Sequence, residues 1–336
     1  MKKSVIALIL FAACSSAPAR IAVVDNLPLE PRVGKPILIP TRYEAHRFIA
    51  TPTTEDNVTL SFFTDSAGGL FLYEDVVERL QLPTVSAPGA AGNDQPLLSV
   101  ALPRFKPTAT LPTPLGSEGG RLSVFRRRQD DRSIAMSKHD GMLGQQWFAG
   151  RVWMFDYPNK RLLWMHAEDL PRHDKIHEVR LGFKTDRFGK RVTNFARVPV
   201  EIDGEIMDFL FDTGATNVLS DDALKKIGDG GPAERATSFL TRSVFEKLKK
   251  RHADWRAFDG IKTLTGNAMI EVPKIKIGGY TVGPVWFTVQ PDFAFHNYMA
   301  QFTDKPTEGA IGGSALRYLQ ITVNWPKAVA IFKRTK

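Results

Sequence analysis

Apolar residues along this chain fall in short runs broken by Gly, Pro and polar clusters, the signature of many short strands. The β-branched and aromatic runs at 196–202, 274–277, 285–289 and 319–323 predict strands. Helical spacing is confined to three stretches, 74–80, 221–227 and 243–252. In the last, Val244, Leu248 and Arg251 share a face opposite a lysine-rich one. The polar segment 166–180 reads as a linker, and the Pro/Gly-rich segments 84–96 and 103–120 read as loops. The pattern predicts a mostly β protein with few helices.

The pattern also repeats, and duplication decides the architecture. Residues 141–165 align without a gap on 309–333, an offset of 168 that brings Gly144 onto Gly312 and Phe155-Asp156-Tyr157-Pro158 onto Val323-Asn324-Trp325-Pro326. Residues 59–77 align on 206–224, bringing Asp65 onto Asp212, Ser66 onto Thr213, Leu72 onto Leu219 and Glu74-Asp75 onto Asp221-Asp222. That second offset is 147, so the second copy carries roughly 21 more residues between its two motifs. Two halves of one design are joined head to tail.

Each copy delivers a carboxylate into a tight turn. In the second, the apolar run Phe209-Leu210-Phe211 leads into Asp212-Thr213-Gly214-Ala215-Thr216, and Ser220 opens a helical stretch. One Asp cannot split an amide alone, because the acid–base cycle needs a second carboxyl sharing its proton. Asp65 is the partner the repeat supplies.

This constellation resembles the aspartic protease superfamily, with the retroviral-type and related bacterial exported members closest in the second half. The shared pattern is a hydrophobic strand into D-[TS]-G-[AST], then two apolar residues and a Gly. Met142-Leu143-Gly144 and Ala310-Ile311-Gly312 fit that second element. The resemblance covers about 40–165 and 180–336 and implies a two-lobed acid-protease-like fold, with a short helix after each Asp loop. It implies that Asp65 and Asp212 form the catalytic dyad and that Ser66 and Thr213 fix the loops by bonding across the lobes. The active-site loops would be Ala67-Gly68 and Gly214-Ala215-Thr216, with Gly144 and Gly312 letting the backbone cross beneath them. An activated water would attack an extended peptide or protein substrate, with no cofactor, metal or covalent intermediate. Retroviral relatives pair two chains; here the second lobe has a covalent partner, so a monomer is expected. A catalytically silent peptide- or envelope-component-binding relative is the competing reading.

The first copy departs from the pattern. Ala67 stands where the family has Gly and Thr64 replaces the apolar residue before the Asp. If position 67 requires positive φ, Ala costs about 1–2 kcal/mol. A frame using Ala67-Gly68 as the turn would keep a Gly but shift the downstream match. The cleft-covering tyrosine of pepsin-like enzymes is missing, since Tyr73 is the sole tyrosine between Asp65 and Gly144; Phe105 or Phe125 would cover the cleft instead. His173 and His177 have helical metal-pair spacing, but Pro171 and the charged setting favour a solvated linker. Gly313-Ser314 lacks a serine-hydrolase context. Residues 228–231 (GDGG) lack the Lys or Thr of a phosphate cradle. The clusters Trp147-Phe148 and Trp153–Tyr157 are explained by core packing.

Composition sets the compartment. Of 336 residues 43% are hydrophobic, ordinary for a folded chain, and the length suits two lobes. Lys2-Lys3 precede an apolar stretch from Val5 to Ala13, too short to span a membrane, and Cys14 is the only cysteine. Phe11-Ala12-Ala13-Cys14 resembles a lipoprotein signal with Cys14 lipidated; cleavage after Ala19 is the alternative. Either way export is expected, to the periplasmic side of a bacterial membrane or as a soluble periplasmic or secreted protein. The expected division is 1–13 signal peptide, 14–39 tether or short prosegment, 40–165 first lobe, 166–180 linker and 181–336 second lobe. A net charge of +9 suits an anionic membrane face or acidic partner. The run Arg126-Arg127-Arg128 is followed by Asp130-Asp131, and nucleic acid is not expected as a partner.

Overall fold

The computed structural model describes residues 30–87, 97–115, 120–127, 138–260, 263 and 266–335. The expected signal segment and Cys14 lie outside the described residues.

The first copy opens with β1 (Ile37–Leu38), the hairpin β2 (Thr41–Glu44) and β3 (Arg47–Ala50), and β4 (Phe62–Thr64), which ends at the first Asp loop. Then come β5 (Leu70–Tyr73), α1 (Glu74–Arg79), the hairpin β6 (Thr84–Ala87) and β7 (Leu97–Val100), β8 (Leu122–Phe125), β9 (Gly141–Leu143) and α2 (Gln145–Phe148). Strands β2 to β9 form one sheet in the order β2-β3-β4-β9-β5-β8-β7-β6. The hairpin β10 (Val152–Asp156) and β11 (Arg161–Met165) closes the copy.

The second copy opens with β12 (Glu178–Arg180), then β13 (Arg197–Ile202) and β14 (Glu205–Phe211), which ends at the second Asp loop. After it come β15 (Thr216–Val218), α3 (Asp221–Ile227), β16 (Glu234–Ala236), β17 (Ser238–Thr241) and α4 (Arg242–Arg251). The chain continues through β18 (Ala257–Asp259), β19 (Ala268–Val272), β20 (Ile275–Ile277), β21 (Tyr280–Val282) and β22 (Val285–Gln290). It ends with β23 (Gly309–Ile311), α5 (Gly313–Leu316), β24 (Gln320–Asn324) and β25 (Val329–Lys333). The order β13-β14-β23-β17-β22-β19-β18 repeats β3-β4-β9-β5-β8-β7-β6 strand for strand. The fold is mostly β and two-lobed, built from an internal duplication.

A six-stranded sheet, β1-β11-β10-β24-β25-β12, joins the lobes. Its centre is the antiparallel pair β10–β24, where Met154 faces Thr322. Those two residues are themselves equivalent positions of the repeat, so the pseudo-two-fold axis passes between them. The large apolar side chains of the repeat pack behind this sheet: Trp147, Phe148, Trp153, Phe155, Tyr157 and Trp325 are all fully buried. Trp147 and Trp153 lie 4.4 Å apart, and Phe148 stacks on Trp325 at 5.5 Å. The aromatic repeats are core, as their spacing implied.

Register corrects one of the sequence alignments. Leu72 faces Gly141 in the first lobe and Leu240 faces Gly309 in the second. Strand β5 is thus the counterpart of β17, and α1 that of α4. The match of Leu72 to Leu219 and of Glu74-Asp75 to Asp221-Asp222 does not hold beyond the Asp loops. The extra residues of the second copy are 216–236, comprising β15, α3 and β16. A helix does follow each Asp loop, but α3 has no counterpart among the described residues. It forms for local reasons: Ser220 Oγ accepts the Ala223 N–H at 3.2 Å, Asp221 and Asp222 occupy the first turn, and Gly228 ends it in the left-handed region.

Smaller differences have similar causes. Residues 84–87 are not loop; they pair with 97–100, and Pro and Gly are confined to the connection. The expected linker ends earlier than residue 180, because 178–180 form the edge strand β12 against β25. Alternating exposure along Glu178-Val179-Arg180 gave no apolar run to detect. In α4 the buried residues are Val244, Phe245 and Leu248, whereas Arg251 turns outward to Asp203 and Glu205. Phe105 and Phe125 pack against the first lobe's core, Phe125 5.0 Å from Phe71, so neither is free to cover a cleft.

The 216–236 insertion grips the first lobe. The β2–β3 turn, Ala45-His46, has φ of 44° and 69°, strained for non-glycine residues. It is held by the Ala236 N–H donating to Ala45 O at 3.0 Å and by Gly313, where a Cβ would lie 2.2 Å from His46 O. Beside it Arg47, its side chain 3% exposed, meets Glu234 at 2.7 Å, and Lys138 also reaches Glu234. Breaking one side of a buried pair strands the other charge, so Glu234→Gln is expected to cost about 3 kcal/mol in urea unfolding.

Candidate active site

Each Asp loop is hung on a neighbouring strand in the same way. The Asp65 N–H donates to Leu143 O at 3.1 Å and the Asp212 N–H to Ile311 O at 2.9 Å. These matched anchors fix the frame of the first loop as Asp65-Ser66-Ala67; the slipped alternative does not occur. The parallel pairs β4–β9 and β14–β23 bring Gly144 and Gly312 under the loops. A Cβ on Gly144 would lie 2.0 Å from Gly69 O and 2.1 Å from Gly68 O. On Gly312 it would lie 2.1 Å from Thr237 O and 2.6 Å from Ala215 Cβ. Neither glycine has positive φ; close approach alone excludes a side chain.

The hydroxyl residues cross between lobes. Thr213 Oγ1 accepts the Ser66 N–H and Ser66 Oγ accepts the Thr213 N–H, both at 3.0 Å. Ser66 Oγ in turn donates to Phe211 O at 2.8 Å. Both residues are buried, so the reciprocal bonds are shielded from water and fix the loops relative to each other. Thr64, anomalous in sequence, is satisfied: its Oγ1 donates to Phe48 O at 2.6 Å.

This brings the Asp65 and Asp212 side chains into hydrogen-bond contact. Asp65 Oδ1 accepts the Ala67 N–H at 2.8 Å, and Asp212 Oδ1 accepts the Gly214 N–H at 3.1 Å. Burial raises the pKa of Asp65 above the usual carboxylate range, partly offset by N–H donors at Ala67, Gly214 and Gly68 and by the Asp212 side chain. Burial raises Asp212 further, and the charge of Asp65 adds to it. Both shifts are upward, as for a pair of carboxyls that shares one proton. Solvent access differs between them: Asp212 is 9% exposed and Asp65 is the more open of the two, and the more open carboxyl is the easier to ionise.

The Ala67 departure is absorbed. Neither Ala67 nor Gly214 has positive φ, so the expected strain does not arise. Gly214 is needed for proximity instead: a Cβ there would sit 2.3 Å from Asp65 Cγ. Ala67 packs against the small apolar cluster of Leu210, Phe295 and Ala310. Gly68 is also crowded, with a would-be Cβ 2.5 Å from Met142 Sδ.

The other candidates resolve into structure. His173 pairs with Glu178 at 2.7 Å. His177 is not a solvated linker residue, for it stacks flat on Tyr280 at 4.0 Å and bonds Gly278 O at 2.9 Å. Ser314 Oγ bonds Ser238 Oγ and Trp286 O. Residues 228–231 form the end of α3 and a turn in which Asp229 Oδ1 accepts the Gly231 N–H. Sequence reasoning missed Arg47, whose contacts lie more than 160 residues away, at Thr216 and Glu234.

No protein-family model matches the chain, and no curated protein resembles it in sequence. Among solved structures it is similar to an aspartic proteinase from Irpex lacteus, with a TM-score of 0.50 and 10% identity over 89% of this chain and 97% of that one. Conglutin gamma from lupine seeds (TM-score 0.46, 9% identity, 90% and 95% coverage) and the basic 7S globulin from soybean (0.43, 9%, 90% and 95%) are also similar. The first of these comparisons supports the two-lobed acid-protease fold.

Proposed function

We propose that this chain is an exported aspartic endopeptidase that hydrolyses extended peptide segments through an Asp65/Asp212 dyad. The observation that carries the reading is the buried, hydrogen-bonded carboxyl pair held by reciprocal Ser66–Thr213 bonds. The fold shared with the Irpex lacteus proteinase supports it.

In this reading Asp65, ionised, takes a proton from a water lying between the carboxyls, and the water oxygen attacks the scissile carbonyl. Asp212, protonated, donates a hydrogen bond to the carbonyl oxygen as charge develops there. The proton gained by Asp65 then passes to the leaving nitrogen, which breaks the C–N bond, and the pair returns to sharing one proton. The Gly214 and Ala67 N–H groups hold the inner oxygens throughout, so little reorganisation is needed at the moment of reaction. One chain supplies both carboxyls, so the active form is a monomer. Among the described residues no helix is long and apolar enough to cross a membrane; attachment would come from a lipid on Cys14.

The test is incubation of the chain beginning at Ser15 with a diverse peptide library between pH 3 and pH 8, with cut sites read by mass spectrometry. Cleavage within extended peptides, rising where one proton is shared by the pair, is expected. A folded protein that cuts nothing at any pH overturns the reading in favour of a silent peptide-binding module.

Acid activity has a limit set elsewhere in the first lobe. His139 is buried beside Phe63, its Nδ1 2.8 Å from Ser61 Oγ and its Nε2 without a partner. Burial pushes its pKa down from 6.5 to about 4. A lowered histidine pKa means the unfolded chain binds the proton first, so stability falls as pH drops from 6.5 toward about 4. His139→Gln is expected to flatten the pH dependence of the urea midpoint across that window.

A further inference from the structure

We infer that Arg47 is a positioning residue for the Asp212 loop, acting through Thr216. This rests on the peptidase reading of the carboxyl pair. Arg47 Nη1 lies 3.2 Å from Thr216 Oγ1 and 2.7 Å from Glu234 Oε1. Thr216 Oγ1 donates to Gly214 O at 2.8 Å. Gly214 in turn donates its N–H to Asp212 Oδ1 and lies directly over Asp65, as the would-be Cβ contact with Asp65 Cγ shows. A chain of hydrogen bonds therefore runs from a strand of the first lobe to the one backbone residue that touches both carboxyls.

Three independent features make this more than a packing contact. The arrangement is one-sided: Thr216 opens the insertion and has no counterpart in the first copy, where Gly68 is followed directly by Gly69, the equivalent of Thr237. The Gly69 N–H faces Met142 Sδ at 3.2 Å. Only the second loop carries a hydroxyl there, so only its Gly214 carbonyl is tied down in this way. Secondly, the acid that orients Arg47 belongs to β16, within the 21-residue insertion of the second copy. Thirdly, Arg47 is held on its other side, by Nε donating to Glu44 O at 3.3 Å and by the Phe63 ring 6.0 Å away. Its guanidinium has a fixed direction, and a planar fork so held can address Thr216 and Glu234 together. The insertion thus does two jobs, clasping the first lobe and setting the height of Gly214 between the carboxyls.

The experiment compares Thr216→Val, Thr216→Ser, Arg47→Lys and the double variant Thr216→Val/Arg47→Lys. Thr216→Val removes both the donor to Gly214 O and the acceptor for Arg47. It is expected to lower kcat about five- to tenfold with KM within about twofold, and to displace the pH–rate profile. Thr216→Ser keeps the hydroxyl and is expected to stay within about twofold of wild type. Arg47→Lys keeps the charge facing Glu234 but loses the fork, and the double variant should be no worse than Thr216→Val alone. A second readout needs no substrate: 13C NMR titration of aspartate-labelled protein, with Asp212→Asn to identify the signals. The carboxyl pair should titrate at displaced pH in Thr216→Val and unchanged in Thr216→Ser. If wild type cuts no peptide, the peptidase reading fails and this titration alone decides the positioning role. Unchanged titration and kcat in Thr216→Val, or additive losses in the double variant, overturn the assignment.

Discussion

Asp212→Asn is expected to abolish peptide cleavage, by about 10⁴-fold or more, while making the protein more stable at neutral pH. The two effects have one cause. Asp212 is buried beside Asp65, and both burial and that neighbouring charge raise its pKa. A carboxyl whose folded pKa is raised favours the fold while it stays protonated. That contribution is complete below its unfolded pKa and is lost as pH rises through the folded value. At pH 7 the wild-type pair is therefore under electrostatic load. Asparagine keeps the shape and one oxygen acceptor for the Gly214 N–H but carries no ionisable group. A gain on the order of 1–2 kcal/mol in urea unfolding at pH 7 is expected, shrinking as pH falls. Loss of activity with unchanged or lowered stability at pH 7 would contradict an upward-shifted Asp212. The double variant Asp65→Asn/Asp212→Asn should cut no more slowly than either single variant, because the carboxyls act as a unit.

Gly312→Ala is expected to unfold or severely weaken the second lobe. The added Cβ would lie 2.1 Å from Thr237 O, 2.6 Å from Ala215 Cβ and 3.1 Å from Asp212 O. Two of these three contacts are with backbone, and all three neighbours are pinned. Thr237 N–H bonds Ala215 O and Asp212 N–H bonds Ile311 O, so neither can move without breaking a loop anchor. A cost of about 3 kcal/mol or more follows, at the upper end of overpacking. Gly144→Ala should behave alike, its Cβ 2.0 Å from Gly69 O. Urea midpoints measure both; a loss below about 1 kcal/mol would mean that the strands beneath the loops yield more easily than their hydrogen bonding implies.

The parts of the fold legible in the sequence are those carried by backbone necessity. The second Asp loop announces itself because an apolar strand ends in a turn whose hydroxyl bonds across to the first loop and whose glycine lies against Asp65. The two crossing glycines are visible for the same reason, at a constant spacing of 168. Legibility ended at residue 216. There Glu74-Asp75 and Asp221-Asp222 share the chemistry of a helix start without sharing a place in the fold, and the ungapped alignment ran on through the insertion. Acidic residues favour any helix N-terminus, so they report local structure and not ancestry. Ala67 misled in the opposite sense: the resemblance puts glycine there, but in this loop the backbone stays in the ordinary region and only Gly214 needs closeness. Arg47 left no local signal at all, because its partners, Thr216 and Glu234, are brought to it by the closure of the lobes.

Whether the degenerate first copy supplies a working carboxylate is decided by Asp65→Asn. The measurement is the cleavage rate of one peptide identified from the library, for wild type and Asp65→Asn, from pH 3 to pH 8. The expected result is a bell-shaped profile for wild type and no cleavage above background by Asp65→Asn at any pH, with the variant folded. Cleavage surviving in Asp65→Asn would contradict it, and would place the second carboxyl of the pair on another chain.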